Sequence, residues 1–148
     1  MSRFKSAVIV FVVLAGAIVT AVSFDYTHTY VEDRFHDALS EGQYKMGEPF
    51  SLDAFLEYYD WDEVCVVIHG QEHDLVNRAR LPYELRTTDE DHWMLVFVKS
   101  YHVVAEVSVS KTELLPPEEL SKTCYERWEA IVELRDFGGT PRIRFVGD

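Results

Sequence analysis

The chain has 148 residues and a formal net charge of −12 at neutral pH, from 14 basic and 26 acidic side chains. All of the acidic side chains but only 12 of the basic ones lie after Phe24, so that part carries a net charge of −14. A surface of this sign repels the phosphate groups of nucleic acids and anionic lipid headgroups. The charge therefore excludes nucleic acid as a partner class and leaves basic proteins, cations and cationic peptides.

The N-terminal region contains an uncharged run of 19 residues, 6–24. As a helix rising about 1.5 Å per residue, this run roughly matches the ~30 Å hydrocarbon core of a bilayer. Arg3 and Lys5 precede it and acidic residues follow it, which favours a cytoplasmic N-terminus. We therefore expect a single-pass inner-membrane protein whose C-terminal domain is extracytoplasmic or periplasmic. The alternative is a cleaved secretory signal, because small residues surround Ala21.

The chain divides into three predicted parts. They are a membrane anchor or signal over 1–24, a stem and linker over 25–48, and an acidic extracytoplasmic domain over 49–148. In the stem, apolar residues such as Val31 and Phe35 recur at helical spacing between charged ones. This pattern predicts an amphipathic helix that continues outward from the anchor.

The remaining domain has the pattern of a small α+β fold. Glu63–Ile68 is β-branched and apolar on both faces, which predicts a central strand buried on both sides. Two hairpins are predicted, one from 93–98 and 103–109, whose turn lacks Gly or Asn, and one from 126–135 and 142–146. Short helices are predicted over 52–59 and 72–80. The predicted fold is a single, mostly antiparallel sheet of about five strands with short helices on one face.

The motifs Asp60-Trp61-Asp62-Glu63-Val64 and Leu95-Val96-Phe97-Val98-Lys99 carry a family resemblance. Over residues 50–110 the chain resembles a group of small exported or membrane-anchored bacterial proteins that share a Trp-Asp-x-Val strand and a Leu-Val-Phe-Val-Lys hairpin. The group has no assigned activity, so the resemblance implies a location and a fold.

The chain has two cysteines, Cys65 and Cys124, and both lie in the part expected to be exported. An oxidising compartment would pair them. We predict a disulfide that ties the C-terminal hairpin to the central strand. The alternative is that Cys65 fills the core and Cys124 is a free loop thiol.

An aromatic and acidic segment precedes the central strand, and its composition suits the recognition of a basic partner, since Tyr and Trp give large contact areas at small entropic cost. The predicted binding residues are Tyr58, Tyr59, Asp60, Trp61 and Asp62. The alternative is that Tyr58 and Trp61 are core residues that bridge a helix to the strand.

Histidines give two weak metal-site candidates. One is a set at i, i+4 and i+8 on the predicted stem, and the other lies in the loop after the central strand. The candidate ligands are His28, Glu32, His36, His69 and His73. A solvated helix face and ordinary loop residues explain the same pattern, and no HExxH motif supports a metal site.

No nucleophile elbow, phosphate-binding glycine loop or Ser/Lys motif occurs in the chain. The leading hypothesis is a membrane-tethered, non-catalytic interaction domain without a cofactor, such as an accessory subunit, an inhibitor or an immunity-type factor. Its partner would be another protein, either basic or embedded in the membrane, and residues 6–24 would contact the bilayer. The alternative is a small cell-envelope enzyme or metal-binding protein that uses the loop histidines.

Overall fold

The computed structural model describes residues 2–42, 44–56, 60–73, 75, 85–86 and 88–146, without the side chains of 2–7, 16–28 and 55–56. The elements whose bounds are described are one helix, a 3₁₀ helix and seven strands. They are α1 (Ser2–Ser40), β1 (Phe50–Ser51), the 3₁₀ helix (Leu52–Leu56), β2 (Glu63–Ile68), β3 (His92–Lys99), β4 (His102–Ser110), β5 (Cys124–Glu126), β6 (Ile131–Phe137) and β7 (Thr140–Phe145).

The prediction of a membrane-spanning anchor is wrong by this structure. Over the residues that are described, no helix is both long enough and apolar enough to cross a membrane. Two predictions that depended on the anchor are therefore also wrong. They are the single-pass inner-membrane localisation and the transmembrane part of the predicted fold class.

The second half of α1 packs on the sheet domain. Val31, Phe35 and Ala38 are buried, and their spacing places them on one face of the helix. The helix ends at Ser40, and Gly42 follows with a φ of +62°, a conformation in which glycine is favoured at helix C-termini. The predicted amphipathic stem is therefore a core-forming helix of the domain.

The strands form two antiparallel sheets rather than the single sheet of about five strands that the sequence predicted. One has the order β4-β3-β2-β5 and the other β1-β6-β7. Both sheets and α1 contribute to one apolar core, where Tyr125 of β5 stacks on Phe145 of β7 with 4.0 Å between ring centroids. β1 has only two residues and β5 only three, so neither shows the alternation from which a strand is predicted.

The central strand predicted at Glu63–Ile68 is confirmed. Val64 and Val66 face the core between the sheets, while Cys65 and Val67 face a second apolar cluster that includes Leu75. This burial on both faces accounts for the unbroken apolar run in the sequence.

The predicted disulfide between Cys65 and Cys124 is confirmed. The two residues lie directly opposite each other on β2 and β5. The neighbouring Val66 N–H donates to the Thr123 carbonyl at 2.9 Å, so the cysteines occupy the adjacent non-hydrogen-bonded pair, where side chains lie closest. The bond fastens the three-residue strand β5 to the centre of its sheet.

Both predicted hairpins are present, but the second begins later than expected. β6 starts at Ile131, and Trp128 lies in a turn ahead of it instead of in the strand. The Glu126 carbonyl accepts hydrogen bonds from the backbone N–H groups of Glu129 (2.8 Å) and Ala130 (3.0 Å), which bends the chain. For the predicted helices, the 3₁₀ helix occupies Leu52–Leu56, and Glu72, His73 and Leu75 are helical, whereas 57–59, 74 and 76–80 lie outside the described residues.

Candidate functional site

Three loops meet at the end of the four-stranded sheet where β2 begins. Glu63, the first residue of β2, pairs with Val98 on one side and with Glu126 on the other. The segment before β2, the β3–β4 turn and the turn after β5 therefore converge there. We call this area the rim surface, and its residues are Asp53, Asp60, Asp62, Glu63, Lys99, Ser100, Tyr101, Glu126, Arg127 and Trp128.

Asp62 holds two of these loops together. Its carbonyl accepts a hydrogen bond from the Arg127 backbone N–H at 2.8 Å, and its own N–H donates to the Val98 carbonyl at 2.8 Å. Its carboxylate Oδ2 accepts from the Ser100 backbone N–H at 2.9 Å. Asp62 thus fixes the start of the β3–β4 turn and of the turn after β5, and its carboxylate is used to hold the β3–β4 turn.

Each of these turns presents one exposed aromatic side chain. Tyr101 follows Ser100 and is 76% exposed, while Trp128 follows Arg127 and is 72% exposed. The indole Nε1 of Trp128 donates to the Glu126 carboxylate, which orients the ring. Asp62 therefore places two large aromatic side chains at the same end of the sheet, both open to solvent.

The turn that carries Tyr101 has an unfavourable backbone. Ser100 and Tyr101 form the two-residue connection between β3 and β4, with φ values of 46° and 66°. A hairpin turn with positive φ at both central residues is most stable as Asn-Gly or Gly-Gly, because a Cβ atom crowds the backbone there. Backbone strain of this kind collects at functional sites. An exposed tyrosine at such a position gives the fold no packing in return.

Charged groups surround the two aromatic rings. Asp60 pairs with the ammonium group of Lys99 and lies 3.8 Å from Nη1 of Arg127, whose Nη2 is 2.7 Å from Asp53 Oδ1. The Arg127 guanidinium also lies 5.5 Å from the centre of the Trp61 ring. The charged side chains of Asp53, Asp60, Lys99 and Arg127 are all more than a third exposed, so water and salt screen these ion pairs and each stabilises the fold little.

The five predicted binding residues do not act alike. Asp60 is exposed on the rim surface, whereas Asp62 positions the two turns. Trp61 is only 1% exposed, and its ring packs edge-on against Phe97 with 5.2 Å between centroids, which is the core role considered as the alternative. Tyr58 and Tyr59 lie outside the described residues.

Sequence reasoning missed Tyr101 and Trp128. Tyr101 lies in a hairpin turn that lacks the glycine or asparagine usual in such turns. This unusual composition was the sequence feature that could have indicated a functional role for Tyr101. Trp128 was assigned to a strand because it alternates with charged residues. Its exposure depends on the turn after β5, which arises from hydrogen bonds that the sequence pattern does not encode.

Two of the candidate metal ligands, His36 and His69, make other contacts. His36 Nε2 lies 3.1 Å from the Ser108 carbonyl and Nδ1 lies 3.0 Å from the Glu113 carboxylate, so this ring fastens α1 to β4. His69 Nδ1 lies 2.5 Å from the Thr88 carbonyl. The side chain of His28 is outside the described residues, and His73 is exposed. Within the described part of the chain, no three His, Cys, Asp or Glu side chains are placed to hold a metal ion together.

A buried carboxylate lies on β4, away from the rim surface. Glu106 is 1% exposed, and burial raises its pKa above the usual range of a carboxyl group, with a further rise from the nearby Glu32. Arg86 opposes this shift, since its backbone N–H donates to Glu106 Oε1 at 3.3 Å and its Nε lies 3.3 Å from Oε2. At this depth the carboxylate is inaccessible to a macromolecular partner.

Comparison with protein family models, with curated proteins and with solved structures gives no match for this chain. The resemblance to small exported bacterial proteins over residues 50–110 stays a prediction. The geometry of the rim surface is therefore the basis for a functional inference.

Proposed function

We propose that this chain is a non-catalytic protein-interaction domain that binds its partner through the rim surface. The observation that carries the proposal is the pair of aromatic side chains, Tyr101 and Trp128, which are 76% and 72% exposed on two turns fastened to the same residue, Asp62. Exposed aromatic groups held at one place are typical of binding hot spots, where Trp, Tyr and Arg are enriched.

The rim surface is also preorganised for binding. Backbone hydrogen bonds to Asp62 fix the starts of both turns, and the Glu126 carboxylate orients the Trp128 indole. Ordering a flexible loop on association costs free energy, so loops that are ordered beforehand improve affinity. The strained Ser100-Tyr101 turn supports the same function, because its tyrosine offers contact area to a partner and none to the core.

The charge of the rim surface favours a basic partner. Five of its side chains are acidic and two are basic, within a region after Phe24 that carries a net charge of −14. Complementary charges around an apolar centre raise the association rate and make it sensitive to salt. An accessory subunit, an inhibitor and an immunity-type factor would all use such a surface. Each of these roles requires binding to another protein and no catalysis.

The disulfide indicates where the domain works. A bond between Cys65 and Cys124 persists in an oxidising environment, and structural disulfides are rare in the reducing cytosol. We therefore place the interaction in an oxidising, extracytoplasmic compartment. The disulfide also fastens β5, the strand that leads directly into the Trp128 turn.

Site-specific photo-crosslinking tests the proposal. A benzophenone amino acid at position 101 or at position 128 should give the same crosslinked partner in the native host. The matched control is a benzophenone at Lys45, a residue whose side chain is 78% exposed and lies outside the rim surface. Equal crosslinking from all three positions, or none from 101 and 128, would exclude the rim surface as the binding site.

A further inference from the structure

Two glutamates of the rim surface face each other across neighbouring strands. Glu63 on β2 lies directly opposite Glu126 on β5. The next residues, Asp62 and Arg127, share a backbone hydrogen bond, so the two glutamates occupy the adjacent non-hydrogen-bonded pair. Opposite side chains in such a pair lie on one face of the sheet, with Cβ atoms about 4.5–5.5 Å apart. We call these two residues the glutamate pair.

The glutamate pair is exposed, and its two charges repel each other. Like charges directly opposite each other destabilise a sheet. The Cys65–Cys124 disulfide is the next pair along the same face and fixes the register, so the strands cannot slide to separate the two carboxylates. Among the described residues, no lysine, arginine or histidine pairs with either carboxylate. The glutamate pair therefore concentrates two negative charges that the described side chains do not neutralise.

The other carboxylates of the rim surface are used within the domain. Asp53 and Asp60 form ion pairs with Arg127, and the Asp62 carboxylate accepts a backbone hydrogen bond from the β3–β4 turn. These three groups hold loops in place. The negative charge that the rim surface offers to a partner is therefore centred on the glutamate pair.

Arg127 shows which cation fits two carboxylates on this surface. Its Nη2 lies 2.7 Å from Asp53 Oδ1, and its Nη1 lies 3.8 Å from Asp60 Oδ1. The same guanidinium lies 5.5 Å from the centre of the Trp61 ring. A guanidinium group carries N–H donors on more than one edge and also stacks on aromatic faces, whereas an ammonium group is a compact point charge. Two carboxylates, a guanidinium and a tryptophan thus already form one cluster in this domain.

The glutamate pair has a tryptophan beside it in the same way. The Trp128 indole donates from Nε1 to the Glu126 carboxylate, and its ring is 72% exposed. We infer that the partner of the rim surface inserts an arginine side chain between the glutamate pair and Trp128, an inference that rests on the proposed function. The guanidinium bridges the two carboxylates with charge-assisted hydrogen bonds and lies against the indole ring, the aromatic group that attracts cations most strongly.

Fluorescence titration of the full chain tests the inference with defined peptides. Of the three tryptophans, Trp61 and Trp93 are 1% and 0% exposed, so a change in emission on binding reports on Trp128. The probes are short peptides, blocked at both ends, that differ at one position, which is arginine, lysine or citrulline, the uncharged analogue of arginine. The arginine peptide should bind most tightly and the citrulline peptide about tenfold more weakly, because charge-assisted hydrogen bonds are lost. A lysine or citrulline peptide that binds as tightly as the arginine peptide would overturn the inference.

Variants locate the binding on the glutamate pair. Glu63→Gln and Glu126→Gln should each weaken binding of the arginine peptide about tenfold. Both variants should be at least as stable to urea as the wild type, because each removes a like-charge repulsion. Glu90→Gln is the matched control, since Glu90 is exposed and precedes β3 at the end of the four-stranded sheet opposite the rim surface. Equal affinities for the three variants would contradict the assignment.

The peptide titration and the photo-crosslinking can fail separately. Crosslinking from positions 101 and 128 without binding of the arginine peptide would leave the rim surface as the binding site and overturn the inserted arginine. Binding of the arginine peptide without crosslinking would overturn the proposed function, and with it the assignment of the arginine to a protein partner.

Discussion

The strained turn between β3 and β4 gives a prediction that separates stability from binding. Replacing Ser100-Tyr101 with Asn-Gly should stabilise the fold by about 1–2 kcal/mol, because a non-glycine residue at positive φ costs about 1 kcal/mol relative to one that adopts it freely. For a chain of this length that gain raises the melting temperature by roughly 2–4 °C per kcal/mol. The same change removes the Tyr101 ring and should weaken partner binding.

Urea unfolding of the wild type and of three variants measures the effect. The Ser100→Asn/Tyr101→Gly variant should unfold at higher urea with an unchanged slope, since the buried surface is the same. Tyr101→Ala is the matched control, because it removes the ring but leaves a Cβ atom at positive φ, and it should gain no stability. Tyr101→Gly alone should gain most of the effect. An Asn-Gly variant no more stable than the wild type would refute the assignment of strain to this turn.

Three further predictions concern groups that hold the fold and the rim surface in place. Removing the disulfide by Cys65→Ala/Cys124→Ala opens a loop of 59 residues and should cost about 4 kcal/mol in urea unfolding; a loss below about 1 kcal/mol would contradict it. Burial raises the pKa of Glu106 in the folded state, so its ionised form destabilises the protein as pH rises above the usual carboxyl range. Glu106→Gln should therefore be more stable than the wild type at pH 7 and equal to it near pH 3. A stability difference between the two proteins that did not change with pH would contradict this prediction. Asp62→Ala should lower stability by about 1 kcal/mol and weaken partner binding, whereas Asp62→Asn, which keeps an acceptor, should do less of both.

Local patterns in the sequence predicted the elements that depend on neighbouring residues. Glu63–Ile68 is apolar at nearly every position, and a strand covered on both faces is the direct result. The first hairpin follows from two runs rich in β-forming residues, and the second follows from alternation and from the Gly138-Gly139 turn. The pairing of the only two cysteines followed from their number and from the expected compartment.

Long-range pairings decided the features that the sequence did not predict. Phe50 and Ser51 join β6 from about 80 residues away in the chain, and this pairing adds a third strand to the β6–β7 hairpin. The uncharged run near the N-terminus was interpreted as a membrane anchor from its length and from the charges on either side of it. These local features did not show that the end of the same helix would dock on β4 through Phe35 and His36.

The rim surface includes Asp60 and Asp62 from the predicted binding segment, but its exposed aromatic side chains were not predicted. The segment before β2 was selected for its aromatic and acidic composition, and the rim surface does lie there. Composition could not show that Trp61 turns into the core while Trp128, distant in the chain, turns outward. Trp61 is buried because its ring packs against Phe97, a contact between residues that are distant in the sequence.

The most direct test of the rim surface is the dissociation constant of the crosslinked partner for Trp128→Ala. A hot-spot tryptophan contributes at least about 2 kcal/mol, so the affinity should fall roughly thirtyfold. The control is Met46→Ala, which removes an apolar side chain that is 53% exposed elsewhere on the domain. We expect the Met46 variant to bind as the wild type does, with both variants equally stable to urea. Unchanged affinity for Trp128→Ala would contradict the assignment of the rim surface as the binding site.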